Sequence, residues 1–527
     1  MLPDCAGRPR LSSHSLAASA YVQMQYVLYA FLAGAGSAFA FEPTGLWPLI
    51  LVAFALLCEL VCRARTLGRA LLTGWAFGLG QFVIGLNWIA TAFTYQAAMP
   101  PWLGWVAVVL LSLYLAVYPA LATGLAWRFG RDDRTALVVV LGAAWAITEW
   151  LRGTMFTGFP WNPAAAALAG TPLIKVTALI GTYGLSGLAV LLGGAIWLEY
   201  RKQWLPLVVI VGATALLWLL PASAVPDDPL AVLNVRIVQP NIGQQDKWRP
   251  GFADAAARRL AGLSSGGATQ NRLVLWPEAA VVEPLEVDQI DSIRRAMIPF
   301  ERIRAASSVA PGDLLVTGGL ALVADRNGQI VGATNSVFAL QPTGELIGRY
   351  DKSHLVPYGE YLPMRPILSA IGLSRLAPGD VDFRSGPGPS TIDLPGFGKM
   401  GVQVCYEIIF SGHVADRRNR PSFIFNPSND AWFGRWGPPQ HLAQARLRAA
   451  EEGLPVLRST PTGISAVIDA RGEVVKALPW RTAGVIDAVL PPAANAPPPF
   501  ARFGNAIPLI LGFMLIIGAI VLGRRRR

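Results

Sequence analysis

Long apolar runs set the strongest limit on how this chain can fold. About seven runs of roughly 20 residues, each long enough to cross a bilayer as a helix, precede a polar region. They lie at about residues 21–41, 45–62, 70–94, 103–127, 135–151, 173–198 and 203–221. An eighth run, at about residues 507–522, follows the polar region and ends in Arg524–Arg527. The sequence therefore predicts a polytopic α-helical membrane domain of about eight spans.

The distribution of basic residues between these runs predicts their orientation. Arginine and lysine occur in every second connection, at Arg8, Arg10, Arg63, Arg65, Arg69, Arg128, Arg131, Arg134, Arg201 and Lys202. The connections near Glu42, 96–102 and 153–171 are nearly free of them. By the positive-inside rule, the basic connections and both termini are cytoplasmic. Ala38–Ala40 resembles a signal-peptidase site, but an uncleaved first span is favoured because further spans follow at once. The polar region is then extracytoplasmic.

The remaining composition limits the classes of function. The formal net charge of +11 is spread between the apolar runs, so it indicates topology and argues against a nucleic-acid partner. Of the four cysteines, Cys5, Cys58, Cys62 and Cys405, only the last lies in the polar region, which therefore cannot form an internal disulfide. No Cys/His cluster with metal spacing and no Gly-rich phosphate loop is present in the sequence. We expect neither a metal nor a cofactor.

The polar region has the pattern of a single α/β domain. Apolar strand-like runs lie at Asn234–Val238, Leu273–Trp276, Leu314–Thr317, Ser336–Leu340 and Phe423–Asn426. Helix-like segments such as Phe252–Leu263 and Pro439–Glu452 alternate with them. The predicted division is therefore a membrane domain at 1–224, an α/β domain at 225–498 and a final span with its arginine tail at 499–527.

Three reactive side chains in the polar region each follow an apolar run: Glu278, Lys352 and Cys405. Val402 and Val404 indicate that Cys405 ends a buried strand. A thiol nucleophile needs a base, and acyl transfer needs a cation where the carbonyl oxygen becomes negative. Each residue also has a simpler interpretation, since Cys405 alone is typical of a small buried hydrophobe and a lone Glu or Lys is typical of a surface. Spacing does not show that the three converge.

The motifs around these residues resemble a known superfamily. Trp276–Glu278, Tyr350–Pro363 and Val404–Phe410 are similar to segments of the nitrilase superfamily, whose Glu, Lys and Cys triad lies on an αββα sandwich. With the predicted spans, the whole chain resembles the apolipoprotein N-acyltransferase family. The resemblance implies a ping-pong acyltransferase of the bacterial inner membrane, with a periplasmic catalytic domain. Its partners would be a phospholipid acyl donor and a diacylglyceryl apolipoprotein acceptor, and we expect a monomer.

The resemblance also implies roles for individual residues. Glu278 would be the general base and acid, Lys352 would stabilise the oxyanion, and Cys405 would carry the acyl group as a thioester. Supporting positions are Glu360, Glu407 and Tyr406, although either carboxylate could simply accept hydrogen bonds from loop amides. Positions near the substrate channel are Trp248 and Asn335. His354 is expected to be structural. The chain departs from the family pattern at Gly243, Tyr358 and Pro461. These departures bear on loop geometry and on which acyl chain is preferred, and they do not touch the triad.

Glu149 and Arg152 are unusual because they lie one helical turn apart at the end of the fifth predicted span. Ionisable residues at that depth are costly and should face protein or water. Two interpretations stay open, a structural ion pair and a role in shaping the entry of a lipid substrate.

Two other functions remain compatible with parts of the sequence. A membrane-tethered nitrilase-type hydrolase would use the same triad to hand the acyl group to water, but it gives no reason for so many spans. A transporter or scaffold with a non-catalytic binding domain would have no need of the three reactive residues.

Overall fold

The computed structural model describes residues 15–95, 100–221, 223–226, 233–247, 249, 251–266, 271–288, 298–370 and 382–525. The chain forms two compact units. The helical unit is Met1–Ala90, Trp105–Ala222 and Pro499–Arg527, and the α/β unit is Thr91–Gly104 and Ser223–Pro498. The short segment Thr91–Gly104, which includes the ends of two predicted spans, is thus grouped with the α/β unit.

Apolar α-helices make up most of the helical unit. They are Ser15–Ser37, Pro48–Cys62, Leu67–Gly85, Trp88–Ala92, Leu103–Leu115, Val117–Gly130, Arg134–Thr154, Thr177–Tyr200, Trp204–Leu219, Pro499–Phe503 and Ala506–Arg525. Within the described ranges, five helical stretches are long and apolar enough to cross a membrane: Leu67–Gly85, Leu103–Gly130, Arg134–Thr154, Pro172–Tyr200 and Ala506–Gly523. Three shorter apolar helices are Met24–Ala40, Pro48–Cys62 and Trp204–Leu219. A helical membrane unit is therefore supported, and eight spans stay a prediction.

The α/β unit contains two sheets. Its strands are β1 (Asn234–Gln239), β2 (Arg272–Leu275), β3 (Glu286–Asp288), β4 (Leu314–Ala324), β5 (Ile330–Leu340), β6 (Leu346–Asp351), β7 (Thr391–Leu394), β8 (Gly398–Val402), β9 (Phe423–Pro427), β10 (Val456–Ser459), β11 (Ala466–Ile468), β12 (Val474–Ala477) and β13 (Gly484–Val489). The seven-stranded sheet has the order β13-β1-β2-β4-β5-β6, with β3 also beside β4. The six-stranded sheet has the order β12-β11-β10-β9-β8-β7. The predicted strands and the α/β class are confirmed.

Alternation along the strands places the two sheets face to face. Ile237 and Leu275 belong to the core that also contains Met400 and Phe425 of the other sheet. Their neighbours on the opposite face, such as Val238, belong to a second core with residues of the adjoining helices. In the described part of this unit, α-helices lie at Phe252–Ser264, Ile298–Ala306, Arg365–Ala370 and Gly437–Glu452. The predicted helix segments 252–263 and 439–452 are both confirmed.

The strand predicted to end at Cys405 is shorter than expected. β8 ends at Val402, and Cys405–Ile409 forms a single turn of 3-10 helix. Cys405 has a φ of 51°, a left-handed conformation that is incompatible with a strand. Apolar composition cannot reveal this turn, because the same residues satisfy a strand and a buried turn equally well.

Candidate active site

The three predicted reactive residues each follow a strand of the α/β unit. Glu278 follows β2, Lys352 follows β6 directly, and Cys405 follows β8 after two linking residues. The turn at Glu278 packs closely against Gly318 of β4, where a Cβ atom would lie 2.7 Å from the Glu278 Cα. Gly318 therefore permits the close approach that lets the chain leave the sheet at the carboxylate.

Lys352 lies between two carboxylates. Its Nζ is 2.9 Å from Glu360 Oε1 and 3.7 Å from Glu278 Oε1, and its side chain is only 1% exposed. Burial by itself would lower the pKa of Lys352, but the negative charges of Glu360 and Glu278 raise it above its ordinary value. The amine is therefore a permanent cation within the site, as an oxyanion-stabilising group requires.

Asn335 joins the same two carboxylates. Its Nδ2 donates to Glu278 Oε1 at 2.7 Å and to Glu360 Oε1 at 3.0 Å. The second oxygen of Glu360 accepts from the backbone amide of Val356 at 2.8 Å. By contrast, Glu278 Oε2 is buried and has no hydrogen-bond partner among the described residues. Glu278 is thus held in place through one oxygen, and its other oxygen is available to take a proton.

Cys405 is buried at the first position of its turn, with 6% of its surface exposed. Burial and the negative charge of Glu278 raise the pKa of the thiol well above its ordinary value, while Lys352 and the backbone amide of Asn429 act in the opposite direction. The resting group is therefore a thiol at neutral pH, and it requires a base when it reacts. Glu278 is a neighbouring carboxylate, and within the described ranges its Oε2 has no hydrogen-bond donor.

Glu407 braces the turn that carries Cys405. Its Oε1 accepts from Tyr350 Oη at 2.9 Å, from Ser353 N and Oγ at 2.7 Å each, and from His354 N at 3.0 Å. Its Oε2 accepts from the backbone amide of Val404 at 2.7 Å. The carboxylate therefore ties the turn after β8 to the loop after Lys352 and has no oxygen left for proton transfer.

A buried Arg–Asp–His group, which the sequence did not suggest, contacts the backbone of Cys405. His441 Nε2 lies 3.0 Å from the carbonyl oxygen of Cys405, and its Nδ1 lies 2.9 Å from Asp430 and 3.0 Å from Arg458. All three side chains are completely buried. Burial and the charge of Arg458 lower the pKa of His441, so the ring is neutral near pH 7. Since a carbonyl only accepts, Nε2 carries the proton.

Comparison with known proteins covers both units. Residues 33–195 match the model of the apolipoprotein N-acyltransferase N-terminal domain, and residues 234–495 match the carbon-nitrogen hydrolase model. The apolipoprotein N-acyltransferase of Rhodopseudomonas palustris is 34% identical, over 93% of this chain and 94% of the relative. The enzyme of the same name from Caulobacter vibrioides is 36% identical, over 93% of each chain. This chain belongs to the apolipoprotein N-acyltransferase family.

Three further residues of this family member were singled out in the sequence: Tyr406, His354 and Trp248. Tyr406 is buried beside the nucleophile, and its ring lies 5.2 Å from that of Phe410. The ring of His354 stacks on Phe410 at 3.9 Å, in agreement with a structural role. Trp248 lies outside the described residues.

Glu149 and Arg152 form an ion pair within the helical unit of this N-acyltransferase-family chain. Arg152 Nη2 lies 3.7 Å from Glu149 Oε1, and both side chains are buried. Arg152 also donates to the carbonyl oxygens of Phe159 and Trp161, at 2.9 and 2.8 Å. Glu149 Oε1 accepts from the backbone amide of Ala164 at 2.9 Å. These bonds anchor the loop after the helix, which accounts for the pair structurally, and its role in lipid entry stays a prediction.

Cys405, Asp430 and His441 offer potential metal-ligand atoms within 4.8 Å of one another. Asp430, however, already accepts from Arg458 and lies 2.9 Å from His441 Nδ1. The positive charge of Arg458 at this carboxylate opposes a second cation. The cluster is better explained as a hydrogen-bonded support for the nucleophile.

The sequence contains one pattern that could have predicted part of the Arg–Asp–His group, namely polar residues after an apolar run. Asn429 and Asp430 come two and three residues after the end of β9, much as Glu278 comes three residues after the end of β2. His441 and Arg458 carry no such signal, because one lies within a helix and the other within a strand.

Proposed function

We propose that this protein transfers a fatty acyl chain from a phospholipid to the α-amine of an N-terminal diacylglyceryl cysteine. The observation that carries the proposal is a buried thiol beside the Glu278–Lys352–Glu360 charge cluster, in a chain that matches N-acyltransferases through its helical unit as well as its α/β unit. The helical unit supports lipid substrates, because a water-soluble acyl donor or acceptor would need no such structure.

In the first half-reaction, Cys405 Sγ attacks the ester carbonyl of the phospholipid while Glu278 Oε2 takes the thiol proton. Lys352 and a backbone N–H beside Cys405 stabilise the negative carbonyl oxygen, and groups of this kind contribute about 3 kcal/mol each. The ester C–O bond then breaks, and Glu278 returns the proton to the leaving oxygen. The products are a Cys405 thioester and a lysophospholipid.

In the second half-reaction, the α-amine of the acceptor attacks the thioester carbonyl. Glu278 takes a proton from the amine nitrogen as the new amide bond forms. The C–S bond breaks, and the proton returns to the sulfur of Cys405. Lys352 balances negative charge on the carbonyl oxygen and then on the departing sulfur, because its own charge is permanent.

The location of the reaction is proposed from the distribution of basic residues. Both termini would be cytoplasmic, about eight helices would cross the bacterial inner membrane, and the α/β unit would face the periplasm. Lipid donor and lipidated acceptor would both reach Cys405 from the bilayer. Glu149 and Arg152 would shape that access on the membrane side.

Incubation of the purified protein with phospholipid and a diacylglyceryl-cysteine peptide tests the proposal. Wild-type protein should acquire a hydroxylamine-labile fatty-acyl adduct on Cys405 and should then produce triacylated peptide, both detected by intact mass. Cys405→Ala should do neither while eluting as a folded protein. Release of free fatty acid with no acylated peptide would instead support a hydrolase, and full activity of Cys405→Ala would support a non-catalytic domain.

A further inference from the structure

A cavity in the α/β unit is lined in part by Glu278, the proposed general base. Its polar lining comes from Glu278, Asn429, Gln244 and Lys247, and apolar side chains such as Phe252 complete the wall. Asn429 connects this cavity with the nucleophile, because its backbone amide stabilises the thiolate form of Cys405. The cavity is therefore bounded by the carboxylate of Glu278 and by a residue whose backbone amide contacts the thiol of Cys405.

Two oxygen atoms of this lining are buried without a hydrogen-bond donor among the described residues, Glu278 Oε2 and Asn429 Oδ1. Glu278 is 6% exposed and Asn429 is 8% exposed, so neither atom is readily satisfied by bulk water. The orientation of each group is set by its other end. Asn335 donates to Glu278 Oε1 at 2.7 Å, and Asn429 Nδ2 donates to Gln244 Oε1 at 3.2 Å. Buried acceptors without a partner are costly, and a ligand with N–H donors would satisfy them.

Lys247 determines which charge state of such a ligand is favoured. It lines the same cavity and forms no ion pair within 4 Å in the described part of the chain, so Glu278 is the charged group that acts on it. Burial lowers the pKa of Lys247 to about 8, against the attraction of Glu278. A positive charge in a confined cavity repels an ammonium ion more strongly than a neutral amine.

We propose that this cavity is the binding subsite for the primary amine of the acceptor, with Asn429 Oδ1 and Glu278 Oε2 accepting its two N–H bonds and Lys247 favouring its neutral form. This inference rests on the proposed function, since an amine acceptor is required. The two hydrogen bonds leave the nitrogen lone pair free for the thioester carbonyl. As the C–N bond forms, one amine proton passes to Glu278, the C–S bond breaks and the sulfur of Cys405 recovers the proton.

The two half-reactions allow the subsite to be tested separately from the overall function. Asn429→Leu removes the acceptor oxygen at similar volume, and Asn419→Leu is the matched control at a partly exposed amide whose oxygen accepts from Lys399. Asn429→Leu should raise KM for the diacylglyceryl-cysteine peptide about tenfold, the value of one good hydrogen bond. Formation of the Cys405 thioester from phospholipid should stay within threefold of wild type. That rate also reports whether the variant is folded.

An N-acetylated copy of the same peptide provides the second comparison, because it lacks the free amine but keeps the lipid and the peptide chain. Its inhibition constant should be the same, within twofold, for wild type and Asn429→Leu. Lys247→Met should lower kcat of the transfer step on the order of threefold without raising KM, since the amine would be protonated more often.

Equal losses in both half-reactions, or an equal weakening of the free and the acetylated peptide, would overturn the subsite. Wild-type protein that forms no thioester would instead overturn the proposed function. A normal KM for the free peptide in Asn429→Leu would reject the subsite while leaving the acyltransferase intact.

Discussion

Glu278 and Glu407 show how two similarly buried carboxylates near one thiol can serve opposite purposes. They are 6% and 3% exposed, respectively. Glu407 accepts bonds at both oxygens from loop amides and hydroxyls, whereas Glu278 accepts at one oxygen and has no donor at the other in the part of the chain that the structure describes. The number of donors, rather than burial, separates a carboxylate that braces the site from one that can move a proton.

The largest effect is expected from Glu278→Gln, because the amide cannot accept the thiol proton. Thioester formation should fall about a thousandfold, within the usual range for removal of a general base. The melting temperature should change by less than about 2 °C, since the variant keeps the oxygen that accepts from Asn335. The rate of thioester formation is measured by quenched-flow assays of the acyl-enzyme. The melting temperature is measured by thermal unfolding in detergent. A large loss of stability would remove the contrast with Glu407.

Glu407→Gln should show the opposite balance. The new NH2 group would face donors on loop amides, and the free energy of unfolding should fall by about 3 kcal/mol. Activity should fall only about tenfold to a hundredfold, because the triad itself is retained. Glu345→Gln, at an exposed carboxylate, is the control. Unchanged stability with a thousandfold loss of activity would mean that Glu407 takes part in the chemistry.

His441 offers a smaller test of the support around Cys405. His441→Leu removes the donor to the Cys405 carbonyl. It also removes the imidazole nitrogen that Arg458 and Asp430 both contact. The rate of thioester formation should fall about tenfold at unchanged KM for phospholipid. His441→Gln can still donate to the carbonyl and should recover most of the rate. Equal defects in the two variants would indicate that packing, and not this hydrogen bond, is what matters.

The smallest effect concerns the pH at which Cys405 reacts with iodoacetamide. The charge of Glu278 raises the pKa of the thiol, and the charge of Lys352 lowers it. Glu278→Gln should therefore move the alkylation profile to lower pH, even though acyl transfer is lost. Lys352→Met should move it to higher pH. Shifts in the same direction for both variants would contradict the charge arrangement.

The sequence predicted the parts of this molecule that depend on composition and on order along the chain. Alternating apolar residues marked the strands, and reactive residues after apolar runs marked Glu278, Lys352 and Cys405. It could not predict the turn at Cys405, because this turn, with its left-handed φ, is tied to distant segments: Glu407 accepts from Tyr350 and Ser353, and the Cys405 carbonyl contacts His441. Nor could it separate Glu278 from Glu407, since the number of donors around a carboxylate is a property of the folded loops.

The ends of the α/β unit lie side by side. β1 pairs antiparallel with β13, with Asn234 opposite Val489. The segments outside this pair are also hydrogen-bonded to each other. Ser223 Oγ donates to the Ala496 carbonyl at 2.6 Å, and Asn495 N donates to the Ala224 carbonyl at 2.9 Å. Tension between the two linkers would therefore load these hydrogen bonds one after another, as in a zipper, rather than all at once in shear. Mechanical opening should begin at this ladder, on the side of the unit where both linkers leave, while the strands that hold the nucleophile remain paired.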